Sequence, residues 1–307
     1  MIYNDKPTNA WDLYWESGAL ESCITQSDRL AGLAMEAFWG GFAESLPKSA
    51  KIIDLATGNG SVVKQLLSSV SSLQVTAVDI AMIQPKTDDV HLATATFVPN
   101  IDITNLPYAA CEFDAVTSQF GAEYAISDHT GKSQMVVESS RVLSSGGHLQ
   151  FLMHNTQSAL LLSNQAKLRE YDSLFANSGL LPTLLKYKEG DGSLYDMESA
   201  GETFLKLDIV KTKGISGQIF DAITYFLQQP RTELLSEHIT NTLRRIYAER
   251  SRLQQLQKAA LSESAMIRIV DDFKACGIAI DISEPMLVAN DNGDKDILGW
   301  HILGQKR

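Results

Sequence analysis

Ile53-Asp54-Leu55-Ala56-Thr57-Gly58-Asn59-Gly60 is the stretch on which the reading of this chain turns. It leads from an apolar strand pattern, Lys51 to Ala56, into a helical pattern from Ser61 to Ser69. Glycines at such a junction let the backbone come close to a ligand, and the free amides of a helix start attract a carboxylate or phosphate. Two acids follow in register. Asp79 ends the next strand pattern, Gln74 to Asp79, 19 positions beyond Gly60, where a carboxylate can accept both hydroxyls of a ribose. Asp102, followed by Ile103, lies just past the third, Thr94 to Val98, where a carboxylate can accept the amino group of an adenine. Singly, the glycines read as a tight turn and each Asp as a helix cap. As an ordered set they point to a nucleotide-bearing cofactor.

Working outward, strand and helix patterns alternate. Phe113 to Ser118 is the fourth strand, Lys132 to Leu143 a helix, and Gly146-Gly147 leads into a fifth strand, His148 to Met153. Such alternation predicts a parallel sheet covered by helices on both faces. Upstream, the segment to Lys48 is helical, with an aromatic cluster at Trp11, Tyr14 and Trp15. A second helix, Asp28 to Leu46, is expected to bury Leu30, Leu33, Ala34, Ala37 and Phe38, and Pro47 closes it. Between Gln157 and Lys258 the apolar spacing is helical around a break at Glu189 to Ser193, with Leu234, Ile239, Leu243, Ile246 and Leu253 on one face of a long charged helix. A connection of that length is an insertion, not a crossover. The α/β rhythm then resumes with a helix from Ser262 to Cys276, Gly277, a strand from Ile278 to Val288 and a last strand from Asp296 to Leu303.

The chain has 307 residues and a formal charge of −11, with 44% hydrophobic and 21% charged residues. That composition fits a globular protein with a filled core. Its acidity argues against a nucleic-acid partner held by phosphate contacts and favours a small-molecule or protein partner. Cys23, Cys111 and Cys276 make no CxxC pair, zinc spacing or disulfide framework, so a reducing, cytoplasmic setting is expected and no metal site. No apolar run reaches the ~20 residues of a membrane span. Asp291, Asn292, Gly293, Asp294 and Asp296 lack the downstream glutamate of a calcium loop and read as a hairpin turn.

A dinucleotide-binding fold would share the glycines and Asp79, but its third glycine would fall at Val63, and its first strand would lack an acid such as Asp54. The ordered features instead resemble the class I S-adenosylmethionine-dependent methyltransferase family. They are Asp54 to Gly60, Asp79-Ile80, Asp102-Ile103 with Leu106-Pro107, Phe113-Asp114, and the ending with Gly277 and Gly299 to Leu303. The resemblance covers residues 50–156 and 260–307, nearest the small-molecule branch typified by ubiquinone-biosynthesis C-methyltransferases. It departs from the family at Ala56, where the usual first glycine of the loop stands, and after Asp79, where Pro85 makes a poor helix.

The resemblance implies an α/β fold with a Rossmann-like seven-stranded, mostly parallel sheet. Residues 1–48 would be an N-terminal helical lid, 49–156 and 259–307 the core, and 157–258 a helical insertion. It further implies S-adenosylmethionine as cofactor and S-adenosylhomocysteine as product. The loop Asp54, Ala56, Thr57, Gly58, Asn59 and Gly60 would hold the amino-acid end, Asp79 the ribose, and Ile80, Asp102 and Ile103 the adenine. Gln119 joins this set from the end of the fourth strand.

Methyl transfer from a sulfonium mainly needs alignment, with a base only where the acceptor must lose a proton. Candidates at the strand ends are His154 and Glu123 as base and Tyr124 to orient the acceptor. The bland readings are a hydrogen-bonded structural histidine for His154 and a helix-start or salt-bridge carboxylate for Glu123. His129 reads as an exposed loop residue. Trp11, Tyr14 and Trp15 would either fold over the site as a lid or staple the N-terminal helix to the sheet.

The Asp/Asn-Pro-Pro-aromatic signature of nucleic-acid methylases is absent after the fourth strand, where Ser118-Gln119-Phe120-Gly121 stands, and the paired-glutamate loop of protein arginine methyltransferases is missing. A small organic acceptor is the leading expectation. A protein or RNA acceptor, using a basic groove near Arg244, Arg245, Arg250 and Arg252, and a non-catalytic cofactor-binding protein are the alternatives. The insertion would cap the acceptor pocket or form a subunit contact, as in a homodimer.

Overall fold

The computed structural model describes residues 7–23, 29–86, 88–126, 132–209, 214–229, 233–290 and 292–307; His129 and Asp291 lie outside them. The chain divides into two compact units, one of residues 162–254 and one of residues 7–161 with 255–307.

The second unit holds the sheet. β1 (Lys51–Leu55), β2 (Gln74–Val78), β3 (Thr96–Val98), β4 (Phe113–Gln119) and β5 (Leu143–Met153) run parallel. β6 (Ile278–Ala289) and β7 (Lys295–Lys306) complete seven strands in the order β3-β2-β1-β4-β5-β7-β6, with β7 antiparallel to both its neighbours. Ten α-helices lie among the described residues: α1 (Pro7–Trp15), α2 (Arg29–Ser45), α3 (Ser61–Ser69), α4 (Gln134–Val142), α5 (Ala159–Asp172), α6 (Leu180–Glu189), α7 (Leu194–Leu205), α8 (Ile215–Gln228), α9 (Glu233–Ala259) and α10 (Glu263–Ala275). This is the α/β architecture that the resemblance implies, a Rossmann-like, seven-stranded, mostly parallel sheet.

β1 lies at the centre and is buried from Ile52 to Leu55, so its residues must suit both faces. Ile52 enters a core layer with α2 and α3; Ile53 and Leu55 enter the opposite layer with Met135 and Val136 of α4 and Phe273 of α10. Strand register sets Asp54 beside Ala77 of β2 and Thr117 of β4. β3 starts later than the apolar pattern because Leu92–Thr94 forms a 3-10 turn, closed by the Thr94 hydroxyl on the His91 carbonyl at 2.8 Å. Residues 79–86 are irregular, as Pro85 requires.

The buried stripe of α2 differs from the expected one. Met35, Trp39, Phe42 and Ala43 face the core, while Leu30 and Leu33 are 41% and 50% exposed, Ala37 is exposed, and Ala34 and Phe38 are half-buried. The larger aromatic surface of Trp39 decides the rotation: its ring is wholly buried, and its indole N–H donates to Gln119 Oε1 at 2.6 Å.

At the insertion the chain leaves and re-enters the sheet unit at one point. Asn155 pairs with Leu261 in a parallel bridge, the Leu261 N–H donates to the His154 carbonyl at 2.9 Å, and the Trp300 indole donates to the Leu261 carbonyl at 2.9 Å. Adjacent ends are what an inserted unit needs if it is not to disturb its host. The unit of residues 162–254 has its own core, including Leu174, Leu181, Phe204, Leu243, Ile246 and Leu253, with Ile239 half-buried at its edge; the Leu234 side chain lies outside the described residues. The Gly-rich break is a pair of caps: Gly190 (φ 88°) ends α6, and Ser193 starts α7 through a capping box with Asp196.

Trp39→Ala should lower unfolding free energy by about 3–5 kcal/mol, and Leu33→Ala by no more than about 0.5 kcal/mol. Denaturant melts of the two variants check the face of α2; equal losses would return the stripe to Leu33.

Candidate active site

Beyond β1 the chain turns through three left-handed residues, Ala56 (φ 52°), Gly58 (φ 56°) and Gly60 (φ 93°), before α3 begins at Ser61. Two of these positions need glycine for lack of space as well as for conformation. A Cβ on Gly58 would run into the Trp15 ring, and one on Gly60 would come within 2.7 Å of Phe97. Ala56 adopts a left-handed conformation that favours glycine, with a methyl group attached, which costs about 1–2 kcal/mol. Its methyl has room because residue 121 is glycine: a Cβ on Gly121 would lie 2.5 Å from Ala56 Cβ.

Asp79 holds the loop. Its Oδ2 accepts the Gly58 N–H and its Oδ1 the Ala81 N–H, each at 2.8 Å. Burial nevertheless raises its carboxyl to about 6, against the two amide bonds that favour the ion. Asp54 is fully buried, and its Oδ1 accepts the Thr117 hydroxyl at 2.8 Å. Asp54 Oδ2 and Thr57 Oγ1 make no hydrogen bond of good geometry among the described residues; desolvation lifts the Asp54 carboxyl to about 7, against the nearby Thr57 and Thr117 hydroxyls that favour the ion.

A cavity of about 590 Å³ opens at the carboxyl ends of the strands, where ligands of open α/β sheets bind. Asp54, Ala56, Thr57, Asp79, Ile80, Asp102, Ile103 and Gln119 all line it, so the structure gathers most of the expected cofactor set around one space. Ile80 is 48% exposed there. Asp102 is exposed and accepts from the Thr104 amide at 2.8 Å and hydroxyl at 2.7 Å, within its own turn. Gly58, Asn59 and Gly60 shape the loop from behind. The Asn59 amide donates to the Trp15 and Ala19 carbonyls at 3.1 and 2.8 Å, and its oxygen accepts the Gln84 N–H at 2.7 Å.

The N-terminal aromatics are wall and staple together. Trp11 and Trp15 line the cavity, while Trp15 also packs on Ala81 and Ile83. Tyr14 stands behind, its ring edge-on to Trp15 at 5.0 Å and its hydroxyl on the Glu21 carbonyl at 2.7 Å.

Of the candidate bases, Glu123 lines the cavity and His154 does not. The His154 ring is fully buried and stacked on Phe120 at 4.7 Å, with Nε2 3.8 Å from Cys23 Sγ and 3.9 Å from Glu123 Oε1. Glu123 Oε1 accepts the His154 backbone N–H at 2.7 Å; Oε2 makes no hydrogen bond of good geometry among the described residues, and burial raises the carboxyl to about 7. Tyr124 is in the wall, edge-on to Trp11 at 5.5 Å. Sequence reasoning missed Glu21, Cys23 and Lys258 of the wall. They come from the stretch after α1 and the end of α9, and no local pattern marks either.

Residues 53–151 match the family model of a methyltransferase domain. Those residues form a methyltransferase domain that includes the glycine loop, Asp79, Asp102 and Glu123. No curated protein sequence matches it. Among solved structures, a SAM-dependent methyltransferase from Methanosarcina mazei is 15% identical over 86% of this chain and 96% of its own, at a TM-score of 0.42. A putative sarcosine dimethylglycine methyltransferase from Galdieria sulphuraria is 15% identical over 97% and 98%, also at 0.42. The putative methyltransferase in complex with the Haloferax volcanii Trm112 activator is 13% identical over 96% of both chains, at 0.43.

Two predictions follow the geometry of the methyltransferase loop and acids. Gly121→Ala should destabilise by about 1–3 kcal/mol through its clash with Ala56, and adding Ala56→Gly should recover much of that loss; strict additivity in a double-mutant cycle would break the pairing. Asp54, Asp79 and Glu123 have folded-state values above the ~4 of an unfolded chain. Their contribution to stability is therefore greatest below about pH 4 and is lost as pH rises through about 6 to 7. At constant ionic strength, melting temperature should fall across that window, less steeply in Asp54→Asn; parallel curves would contradict the burial of Asp54.

Proposed function

We propose that this protein transfers a methyl group from S-adenosylmethionine to a small organic acceptor, leaving S-adenosylhomocysteine. The observation that carries the reading is the convergence of Asp54, Asp79, Ile80 and Asp102 on one cavity beside the glycine loop. S-adenosylmethionine supplies a methyl carbon on a positive sulfur, open to in-line displacement.

The residues present fit that molecule. Asp54 Oδ2 and Thr57 Oγ1 are neighbouring buried polar atoms with no well-formed hydrogen bond among the described residues, suited to the ammonium of the methionine part. Asp79 would take the ribose hydroxyls while keeping the loop amides, and Ile80 and Ile103 would hold the adenine between apolar faces. Asp102 would accept the adenine amino group. Trp11 and Trp15 close the cavity from the N-terminal side and exclude water from the acceptor.

A volume of about 590 Å³ suits small molecules. Two of the four arginines on which an RNA reading would depend are engaged elsewhere. Arg250 pairs with Asp172 at 2.7 Å and Arg252 with Glu249 at 2.8 Å, all within the unit of residues 162–254. By its core motifs we group the protein with the small-molecule branch that includes ubiquinone-biosynthesis methyltransferases.

In calorimetry, S-adenosylmethionine and S-adenosylhomocysteine should bind at micromolar strength and NAD not at all. Asp102→Ala should weaken both by about tenfold, the order of one good hydrogen bond, with an unchanged melting temperature because Asp102 bonds only within its own turn. Asp79 is ionised more fully above about pH 6, and a carboxylate accepts the ribose hydroxyls better than a carboxylic acid, so affinity for both should rise from pH 5.5 to 7.5. NAD binding, or no binding of the first two, would overturn the assignment.

A further inference from the structure

The cavity wall contains more acid than the cofactor accounts for. Its charged side chains among the described residues are Glu21, Asp54, Asp79, Asp102 and Glu123 against one base, Lys258. The reading above gives Asp54, Asp79 and Asp102 to the cofactor. Glu21 has one oxygen on the Ser61 hydroxyl at 2.7 Å. Glu123 is 1% exposed, and its Oε2 makes no hydrogen bond of good geometry among the described residues, although the Gly121 and Glu123 amides lie near enough to favour the ion. A buried carboxylate oxygen without a donor is costly in the free protein, and a donor arriving with the ligand removes that cost.

Three observations describe the donor that fits. The Glu123 oxygen needs a hydrogen-bond donor, and a positive one makes the stronger bond. Aromatic faces attract cations, and Trp11 and Tyr124, packed edge-on with centroids 5.5 Å apart, both line the wall. The excess of carboxylates repels an anionic acceptor. We propose that the acceptor is an amine, received in its ammonium form by Glu123 beside the Trp11–Tyr124 pair, and that Glu123 takes its proton. This rests on the methyl-transfer reading of the same cavity.

The proton step follows from burial. A dry wall disfavours both the carboxylate and the ammonium, so within the closed cavity the ion pair relaxes toward neutral acid and neutral amine. The proton passes from nitrogen to Glu123 Oε2, leaving the nitrogen lone pair free. That pair forms the N–C bond as the C–S bond breaks, and the C–S electrons stay on sulfur, which becomes a neutral thioether. The methylated nitrogen carries the positive charge and keeps it on release as an ammonium, while Glu123 returns the proton it took to water. No oxidant or further reactant is needed. The His154 backbone N–H, 2.7 Å from Oε1, orients the carboxylate and is not consumed; the His154 ring and Cys23 lie behind it.

The test uses the full chain and three measurements. Benzylamine, p-cresol and phenylacetate are offered with labelled S-adenosylmethionine, and the products are weighed by mass spectrometry; methyl gain on the amine alone is expected. Glu123→Gln keeps an oxygen for the His154 amide and should lower kcat/KM for the amine at least about a hundredfold, with cofactor affinity in calorimetry within twofold of the parent. Should the variant fail to fold, phenyltrimethylammonium and its neutral isostere tert-butylbenzene compete against the amine on the unmodified protein, the cation winning by about tenfold. Methylation of the phenol or acid in place of the amine, an undiminished Glu123→Gln rate, or equal inhibition by the two isosteres would overturn the amine assignment while the cofactor still binds. Failure of the cofactor to bind would instead overturn the methyl-transfer reading beneath it.

Discussion

The site depends first on the Asp79 carboxylate. Each of its oxygens accepts one backbone amide, Gly58 on the loop after β1 and Ala81 on the chain after β2. The loop has few other bonds to define it: Thr57 N–H reaches the Val78 carbonyl at 3.0 Å, and Gly60 N–H turns back to Thr57 at 3.1 Å. Bonds from amides to an ionised carboxylate are about twice as strong as neutral ones. Burial pulls against them by favouring the protonated form. The shape of the glycine loop and the charge presented to a ligand are thus set by the same proton.

From that anchor the rest of the wall is assembled by side chains that join segments distant in sequence. Asn59 links the loop, the end of α1 and residue 84 through three hydrogen bonds. It thereby brings Trp15 down onto Gly58, where no side chain would fit. The Trp11 indole donates to Gln255 at 3.0 Å, connecting α1 to the end of α9. Trp39 does the same for Gln119 from α2. The N-terminal helices therefore belong to the body of the sheet unit, and their aromatics are at once packing and cavity surface.

How much of this was legible follows from the range of the interactions. β1, α3, β4 and α10 are local events, marked by apolar runs, glycines and the Ser262 cap, and their residues read correctly. The rotation of α2 was not legible, because choosing Trp39 over Leu33 requires the partner surface that Gln119 and β4 provide. The acids Asp54, Asp79 and Asp102 were legible since strand order carries their spacing to one edge of the sheet. The difference between Glu123 and His154 was not. Both stand at strand ends, and only packing shows that Phe120 and Cys23 enclose the imidazole while the carboxylate reaches the cavity. Glu21 and Lys258 were invisible for the same reason.

Ala56 is the position where sequence pattern and structure had to be reconciled, and the resolution bears on how such sites vary. The left-handed backbone is required by the path from β1 to the Asp79 anchor, so it persists with alanine as it would with glycine. What changes is volume, and the missing Cβ is found across the cavity floor at Gly121. The strained backbone costs stability that a glycine at 56 would not, and the methyl adds apolar surface beside Gln119 and Phe120 where ligand and wall meet. Loss of the familiar glycine leaves the cradle intact, because the constraint lies in the hydrogen bonds of Asp79 and in the summed volume of two facing residues rather than in either residue alone.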